Sequence, residues 1–321
     1  MKDRNKSALI CGISGQDGSY LAKFLLKKEY TVYGTSRDAG ASRFENLEKL
    51  GIRNKVTLIS MMPEDFRSVL SAFTKSSPDE VYFLAGQTSV GLSFELPVET
   101  ITSISIGTLN ILEASRMINS QPKIYFAGSS ETFGDTNGIP ANELTPLNPK
   151  SPYAVAKASA YWLVNNYRES YNMPVATGVL FNHESILRPK RFVTQKIIST
   201  VKRISEGSNE ILELGNIDIS RDWGWAPEYV EAMWLILQQQ EMEDFVISTG
   251  ETNTLKDFVS ETFSFFDLDW KKYVKINKDF IRPSDIMINQ GDSSKAFKKL
   301  NWKAKSNMHA IIKKMILNEY H

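Results

Sequence analysis

Residues 7–22 read SALICGISGQDGSYLA: five small or apolar residues run straight into a glycine-spaced turn and then an amphipathic segment. Ser7–Cys11 has the length and apolarity of a strand buried on both faces of a parallel sheet. Gly12, Gly15 and Gly18 then allow a tight turn, close approach of backbone to a ligand, and packing of the following helix against the strand. Gln16 and Asp17 lie inside the same turn, where free amides and the positive end of the helix dipole attract a pyrophosphate. A strand-to-helix turn with no ligand needs the same glycines, so the triplet alone leaves binding open. Its place at the first βα turn favours a dinucleotide.

The pattern continues outward. Further strands are predicted at Thr31–Thr35, Val56–Ser60, Glu80–Leu84, Lys123–Ala127 and Val175–Leu180. Helices fall between them at Gly18–Lys28, Phe66–Lys75, Thr100–Asn119 and Pro152–Tyr171. Strand and helix in alternation predict an α/β, Rossmann-type doubly wound parallel sheet. From Phe181 the rhythm changes to longer loops, with helices at Phe192–Gly207, Pro227–Gln240 and Asn307–Glu319. Residues 1–180 are therefore expected to form the NAD(P)-binding domain. Residues 181–321 are expected to form a smaller α/β substrate domain, partly interleaved with the first.

Composition narrows the function. The chain has 321 residues, 42% of them hydrophobic, and its 38 basic and 37 acidic side chains leave a net charge of +1, so neither nucleic acid nor an anionic membrane is an expected partner. Cys11 is the single cysteine, which excludes an intramolecular disulfide and any multi-thiolate cluster. His183, His309 and His321 lack metal-ligand spacing, and no catalytic metal is expected. No stretch reaches the 18 or so apolar residues of a membrane helix, and a cytoplasmic location is expected.

Two places carry chemistry. Tyr153 and Lys157 are four apart at the start of a predicted helix, on one face, where the ammonium is expected to lower the phenol's pKa toward that of a base. Upstream, Ser129 and Glu131 follow the fifth predicted strand, at the carboxyl edge of the sheet where α/β ligands bind. A hydroxyl and a carboxylate there also suit a helix cap. At the end of the second strand the chain reads Ser36-Arg37-Asp38, so no carboxylate opens that loop and Arg37 is available to a 2′-phosphate, as in an NADP site.

GISGQDGSYLAKFLL (12–26), SSETFG (129–134), SPYAVAKASAYW (151–162), NYRESYNMPVATGVLFNHES (166–185) and RDWGWAPEYVEAMW (221–234) together resemble the GDP-mannose 4,6-dehydratases. These are a branch of the extended short-chain dehydrogenase/reductase family. The resemblance spans essentially the whole chain. It implies conversion of a GDP-hexose, GDP-mannose or a relative such as GDP-N-acetylglucosamine, to the 4-keto-6-deoxy sugar and water, with NADP (or NAD) used redox-neutrally. It assigns proton transfer at C4 to Tyr153, ribose contact to Lys157, C5 proton removal to Glu131, and help in expelling the C6 hydroxyl to Ser129. It also implies substrate contacts at Thr88, Asn182, Lys196, Arg221 and Arg282, and a homodimer or homotetramer. An epimerase or reductase on the same scaffold is the alternative, but it has no need of a carboxylate poised at C5.

The chain departs from the family's pattern at Ser129, where Thr is usual, and at Asp38, where a second Arg is usual. Met61-Met62-Pro63 stands where the family carries a Gly-Asp pair. Thr88, Lys190, Arg191 and Gln195 also differ, around the expected hexose. The catalytic groups persist while the sugar end changes, which points to a retained reaction on a different sugar.

Overall fold

The computed structural model describes residues 5–118, 121–280 and 284–320. Strand β1 (Ser7–Cys11) is joined in one parallel sheet by β2 (Thr31–Ser36), β3 (Thr57–Ser60), β4 (Glu80–Phe83), β5 (Lys123–Ser129), β6 (Val175–Leu180) and β7 (Phe245–Ile247). The order across the sheet is β7-β6-β5-β4-β1-β2-β3. The order reverses between β1 and β4, the switch point beside which doubly wound folds bind ligands.

Period-two alternation sorts the side chains. Ala8, Ile10, Val32, Tyr82 and Tyr125 bury on one face, under helices α1 (Gln16–Lys27) and α6 (Ala226–Gln238). Leu9, Cys11, Val81, Phe83 and Phe126 bury on the other, against α2 (Phe66–Ser76), α3 (Gly107–Met117) and α4 (Pro152–Tyr171). The second half builds its own core from Ile197 and Val201 of α5 (Val193–Ser205), Trp223, Phe258 of α7 (Leu255–Ser264), and Ile311 and Met315 of α8 (Met308–Ile316).

Three differences from the sequence reading matter. α1 begins at Gln16, two residues earlier than expected, so Gln16 and Asp17 belong to its first turn. The long helix expected from Thr100 is a Pro97-initiated turn, a π-helical stretch over Thr102–Ile106, and then α3. Strand β7 was not visible in the pattern because it is three residues long. It is fastened from outside: Asp244 accepts from both Arg168 nitrogens (2.9 and 2.7 Å), from Asn165 and from the Thr177 amide (2.7 Å), which ties it to α4 and β6.

Candidate active site

At the carboxyl ends of the strands the chain turns from β1 through Gly12, which sits at φ +90°. A Cβ on Gly12 would come within 3.0 Å of the Ala85 nitrogen, and one on Gly18 within 2.3 Å of the Gly12 carbonyl oxygen, so packing alone requires both glycines. Gly15 differs. Its backbone is ordinary and extended (φ −72°), and a Cβ there would meet only the Gly12 oxygen at 3.4 Å. A glycine the fold does not require, at the N-terminus of a 12-residue helix, leaves room for a group that approaches from outside.

A cavity of about 690 Å³ opens beside this turn. Asp17, Thr88, Ser129, Glu131, Tyr153, Lys157, Asn182, Lys196 and Arg221 all line it, so sequence candidates from both halves meet in one space. Arg282 lies outside the described residues. Arg37 stands away on the surface, with a guanidinium nitrogen 3.9 Å from Glu99. Asp38 folds back to cap its own loop, accepting from the amides of Gly40 (2.9 Å) and Ala41 (3.0 Å). Of the four departures expected around the hexose, Thr88 and Arg191 line the cavity, whereas Lys190 and Gln195 do not.

α4 brings Tyr153 and Lys157 to the wall, with Ser151 capping its first turn through the Ala154 amide (3.1 Å). Ser129 ends β5, and its hydroxyl accepts from the Glu131 amide (3.3 Å) at the start of a 3₁₀ turn. The cap reading of this pair is therefore correct for the Ser129 hydroxyl, but Ser129 also hydrogen-bonds the Tyr153 phenol, and the Glu131 side chain faces the cavity. The expectation that Lys157 lowers the phenol's pKa needs correction. Burial pushes Tyr153 up to about 12, against the hydrogen bond from Ser129. Lys157 directs its ammonium to the Ala127 carbonyl (2.7 Å), and burial brings it down to about 8, with the charge of Asp17 opposing.

Gln16 and Asp17 spend their side chains on the second half of the chain. The Gln16 amide donates to the His183 carbonyl (3.2 Å) and accepts from the Ser185 hydroxyl (2.8 Å), while Asp17 meets His183 Nε2 at 2.9 Å. The second half of the chain brings to the cavity cations held by backbone oxygens: Lys196 on Glu213 (2.6 Å), and Arg221 on Ser220 (2.9 Å) and Ile286 (2.8 Å). Arg188 escaped the sequence reading. It lines the cavity with Nε 3.3 Å from Glu184 and its guanidinium 3.9 Å from the Phe192 ring centre. The four-residue spacing from Glu184 was the available signal, but it lies in a loop where helical spacing carries no weight.

Among the described residues no three His, Cys, Asp or Glu side chains are grouped to hold a metal ion, and no helix is long and apolar enough to cross a membrane.

The family model for GDP-mannose 4,6 dehydratase matches residues 9–315. GDP-mannose 4,6 dehydratase 1 of Arabidopsis thaliana is 42% identical over 321 residues, covering 97% of this chain and 89% of the relative. The Homo sapiens GDP-mannose 4,6 dehydratase is 40% identical (98% and 91% covered), and that of Sinorhizobium fredii is 38% identical (98% and 97%). Among solved structures, a dTDP-glucose 4,6-dehydratase from Bacillus anthracis in complex with NAD superposes with a TM-score of 0.85 at 16% identity, covering 97% of this chain and 96% of that one. RMD from Pseudomonas aeruginosa complexed with NADPH gives 0.80 at 20% identity, covering 98% of each. At those identities the superpositions establish the fold alone. The sequence relatives go further: the chain belongs to the GDP-mannose 4,6-dehydratase family.

Proposed function

We propose that this protein is a hydro-lyase that converts a GDP-hexose to the GDP-4-keto-6-deoxy sugar and water. The observation that carries the reading is one cavity lined both by a phenol, an ammonium, a hydroxyl and a carboxylate from the first half of the chain and by the cations Arg188, Lys196 and Arg221 from the second. When bound on the Gly12–Gly18 turn, a nicotinamide dinucleotide supplies reversible hydride acceptance. The Gly15 cradle and the α1 amides would take its diphosphate, and Lys157, by the resemblance, would meet its ribose.

Each residue then has a distinct task. Tyr153, in its phenolate form and supported by a hydrogen bond from Ser129, takes the proton of the C4 hydroxyl as that carbon is oxidised. Lys157 holds a positive charge 5.9 Å from the Tyr153 ring centre, which favours the phenolate that accepts this proton. The C4 ketone acidifies the C5 hydrogen, and the Glu131 carboxylate removes it. The C6 hydroxyl departs with a proton as water, assisted by Ser129 and the now protonated Glu131. Glu131, ionised again once its proton has left with the water, takes a new proton from solvent and delivers it to C5. The oxidation at C4 is balanced by reduction at C6, so the net change is loss of one water. Lys196, Arg221 and, by the resemblance, Arg282 hold the GDP moiety as the multi-donor cations that two phosphates require, and Asn182 adds a neutral amide.

The finer assignments are part of the same proposal. NADP is the favoured cofactor, because the first residue past β2 is Arg37 and the Asp38 carboxylate is occupied by its own loop. The hexose is GDP-mannose or a C2-modified relative such as GDP-N-acetylglucosamine, on the strength of the changes at Thr88 and Arg191. The enzyme acts as a cytoplasmic homodimer or homotetramer, with residues 1–180 as the cofactor domain and 181–321 as the substrate domain. Incubation with a panel of GDP-, UDP- and dTDP-hexoses tests the reading by mass spectrometry. Loss of one water from a GDP-hexose at the highest kcat/KM is expected; product of unchanged mass would reassign the scaffold to epimerisation.

A further inference from the structure

We infer that Asp17 and His183 form a buried imidazolium–carboxylate clasp that fastens the glycine-rich turn to the Phe181–Ser185 segment, making His183 a positioning residue for both nucleotide ligands. The inference rests on the reading that cofactor and GDP-sugar bind on the two sides of this contact.

The argument begins with hydrogen counting. His183 Nδ1 lies 2.7 Å from the Phe181 carbonyl oxygen, and Nε2 lies 2.9 Å from the Asp17 carboxylate. A carbonyl can only accept, and so can an ionised carboxylate. Both ring nitrogens therefore carry hydrogen and the ring is cationic, provided that Asp17 is ionised. Its surroundings keep it so: Gln16 donates to the other carboxylate oxygen (3.0 Å), and Arg188 adds positive charge. Burial pushes the Asp17 carboxyl up, but His183, Gln16 and Arg188 together bring it down to about 2. Burial likewise opposes charge on His183, yet Asp17 and the Phe181 carbonyl outweigh it and hold its pKa above the ordinary histidine value, against Arg188. From α6 the ring is faced by Tyr229, stacked at 4.6 Å and 24°.

Packing alone does not call for this charge. The Gln16 bonds to the His183 carbonyl and to Ser185 already join the two segments with neutral partners, whereas each buried ion carries a desolvation cost of several kcal/mol. What the pair adds is electrostatic. Asp17 lines a cavity built for anions, at the end of α1 where a diphosphate would lie, and an uncompensated carboxylate there would repel it. The imidazolium behind it offsets that charge. The ring's bond to the Phe181 carbonyl spans the preceding residue, Asn182, so displacement of His183 reaches the GDP side as well.

Linkage fixes the pH range. The clasp is complete above about pH 2 and is lost as pH rises through the raised pKa of His183, so binding of both ligands should weaken on the alkaline side. The first test is NMR of the 13Cε1-labelled wild-type protein, whose three histidines allow assignment by substituting His309 and His321. His183 is expected to titrate above the ordinary histidine range. The second is titration with GDP and, separately, with NADP from pH 6 to 9.5. His183→Gln is expected to weaken both by at least about tenfold at pH 7 and to abolish the alkaline decline. Adding Asp17→Asn should recover much of that loss, which a merely structural defect would not show. A neutral His183 ring at pH 7, or unchanged GDP and NADP affinity in folded His183→Gln, would overturn the inference. Neither measurement requires turnover, so they stand whether or not a GDP-hexose loses water; failure of the dehydratase reading appears only in the product mass.

Discussion

The two halves of this chain hold their residues in place by different means. Up to Leu180 the backbone is ordered by a repeating ladder: seven-residue or shorter strands, period-two burial, and helices that close each unit. Beyond it, strands of two or three residues are held by polar side chains bonded to distant backbone. Asp222 accepts from the Thr249 amide (2.9 Å) and hydroxyl (2.7 Å) and the Gly250 amide (2.8 Å), and Glu228 from the Lys305 amide (2.8 Å) and the Ser306 hydroxyl (2.6 Å). The ladder supplies a rigid carboxyl edge for the chemistry, and the polar lattice shapes a pocket for a larger ligand. Reaction and specificity are therefore open to separate change.

The comparison breaks if chemistry and stability do not separate. Tyr153→Phe should lower kcat by about 10³-fold with the fold intact, since it removes only the proton acceptor; steady-state kinetics and circular dichroism check this. At the seam between the halves, Asp244→Ala should cost about 3 kcal/mol, because it strands Arg168 and the Thr177 amide together. Denaturant unfolding measures that loss, with activity surviving at low temperature.

Lys157→Met sharpens the contrast by moving the two properties in opposite directions. The native state holds this ammonium at a pKa of about 8 against 10.5 for the free side chain, so the unfolded chain keeps its proton longer, and stability rises with pH between those values. Below pH 8 the buried charge is a cost. The substitution should therefore stabilise the protein by roughly 2 kcal/mol at pH 7 while abolishing turnover, and the gain should vanish above about pH 10.5. Thermal unfolding across that range is the check. The smallest effect expected is at the surface: Arg37→Ala should weaken NADP by roughly fivefold and leave NAD unchanged, measured by titration of the apo protein.

The sequence was legible where order is periodic. β1 and β6 fall at the predicted residues, as does α4 with Tyr153 and Lys157, because buried alternation and a Ser151 cap are local signals. β7 and the short strands around Asn182, Arg221 and Trp223 were not, since their pairing is set by contacts such as Asp244 with Thr177, 67 positions apart. The same reason hid Arg188 and the meeting of Asp17 with His183. Residue types at the site could be read, but their electrostatics could not: the Tyr153–Lys157 spacing suggested an acidified phenol, and burial, which spacing does not report, reversed the shift.

The central claim is that Glu131 works at C5 while Tyr153 works at C4. Running the reaction in deuterium oxide tests it most directly, because the proton removed from C5 leaves with the water and the one delivered to C5 comes from solvent. NMR of the product should show one deuterium at C5, and Glu131→Gln should form neither that label nor the dehydrated sugar at an appreciable rate. Dehydration with no deuterium at C5, or full labelling and turnover in Glu131→Gln, would contradict the account.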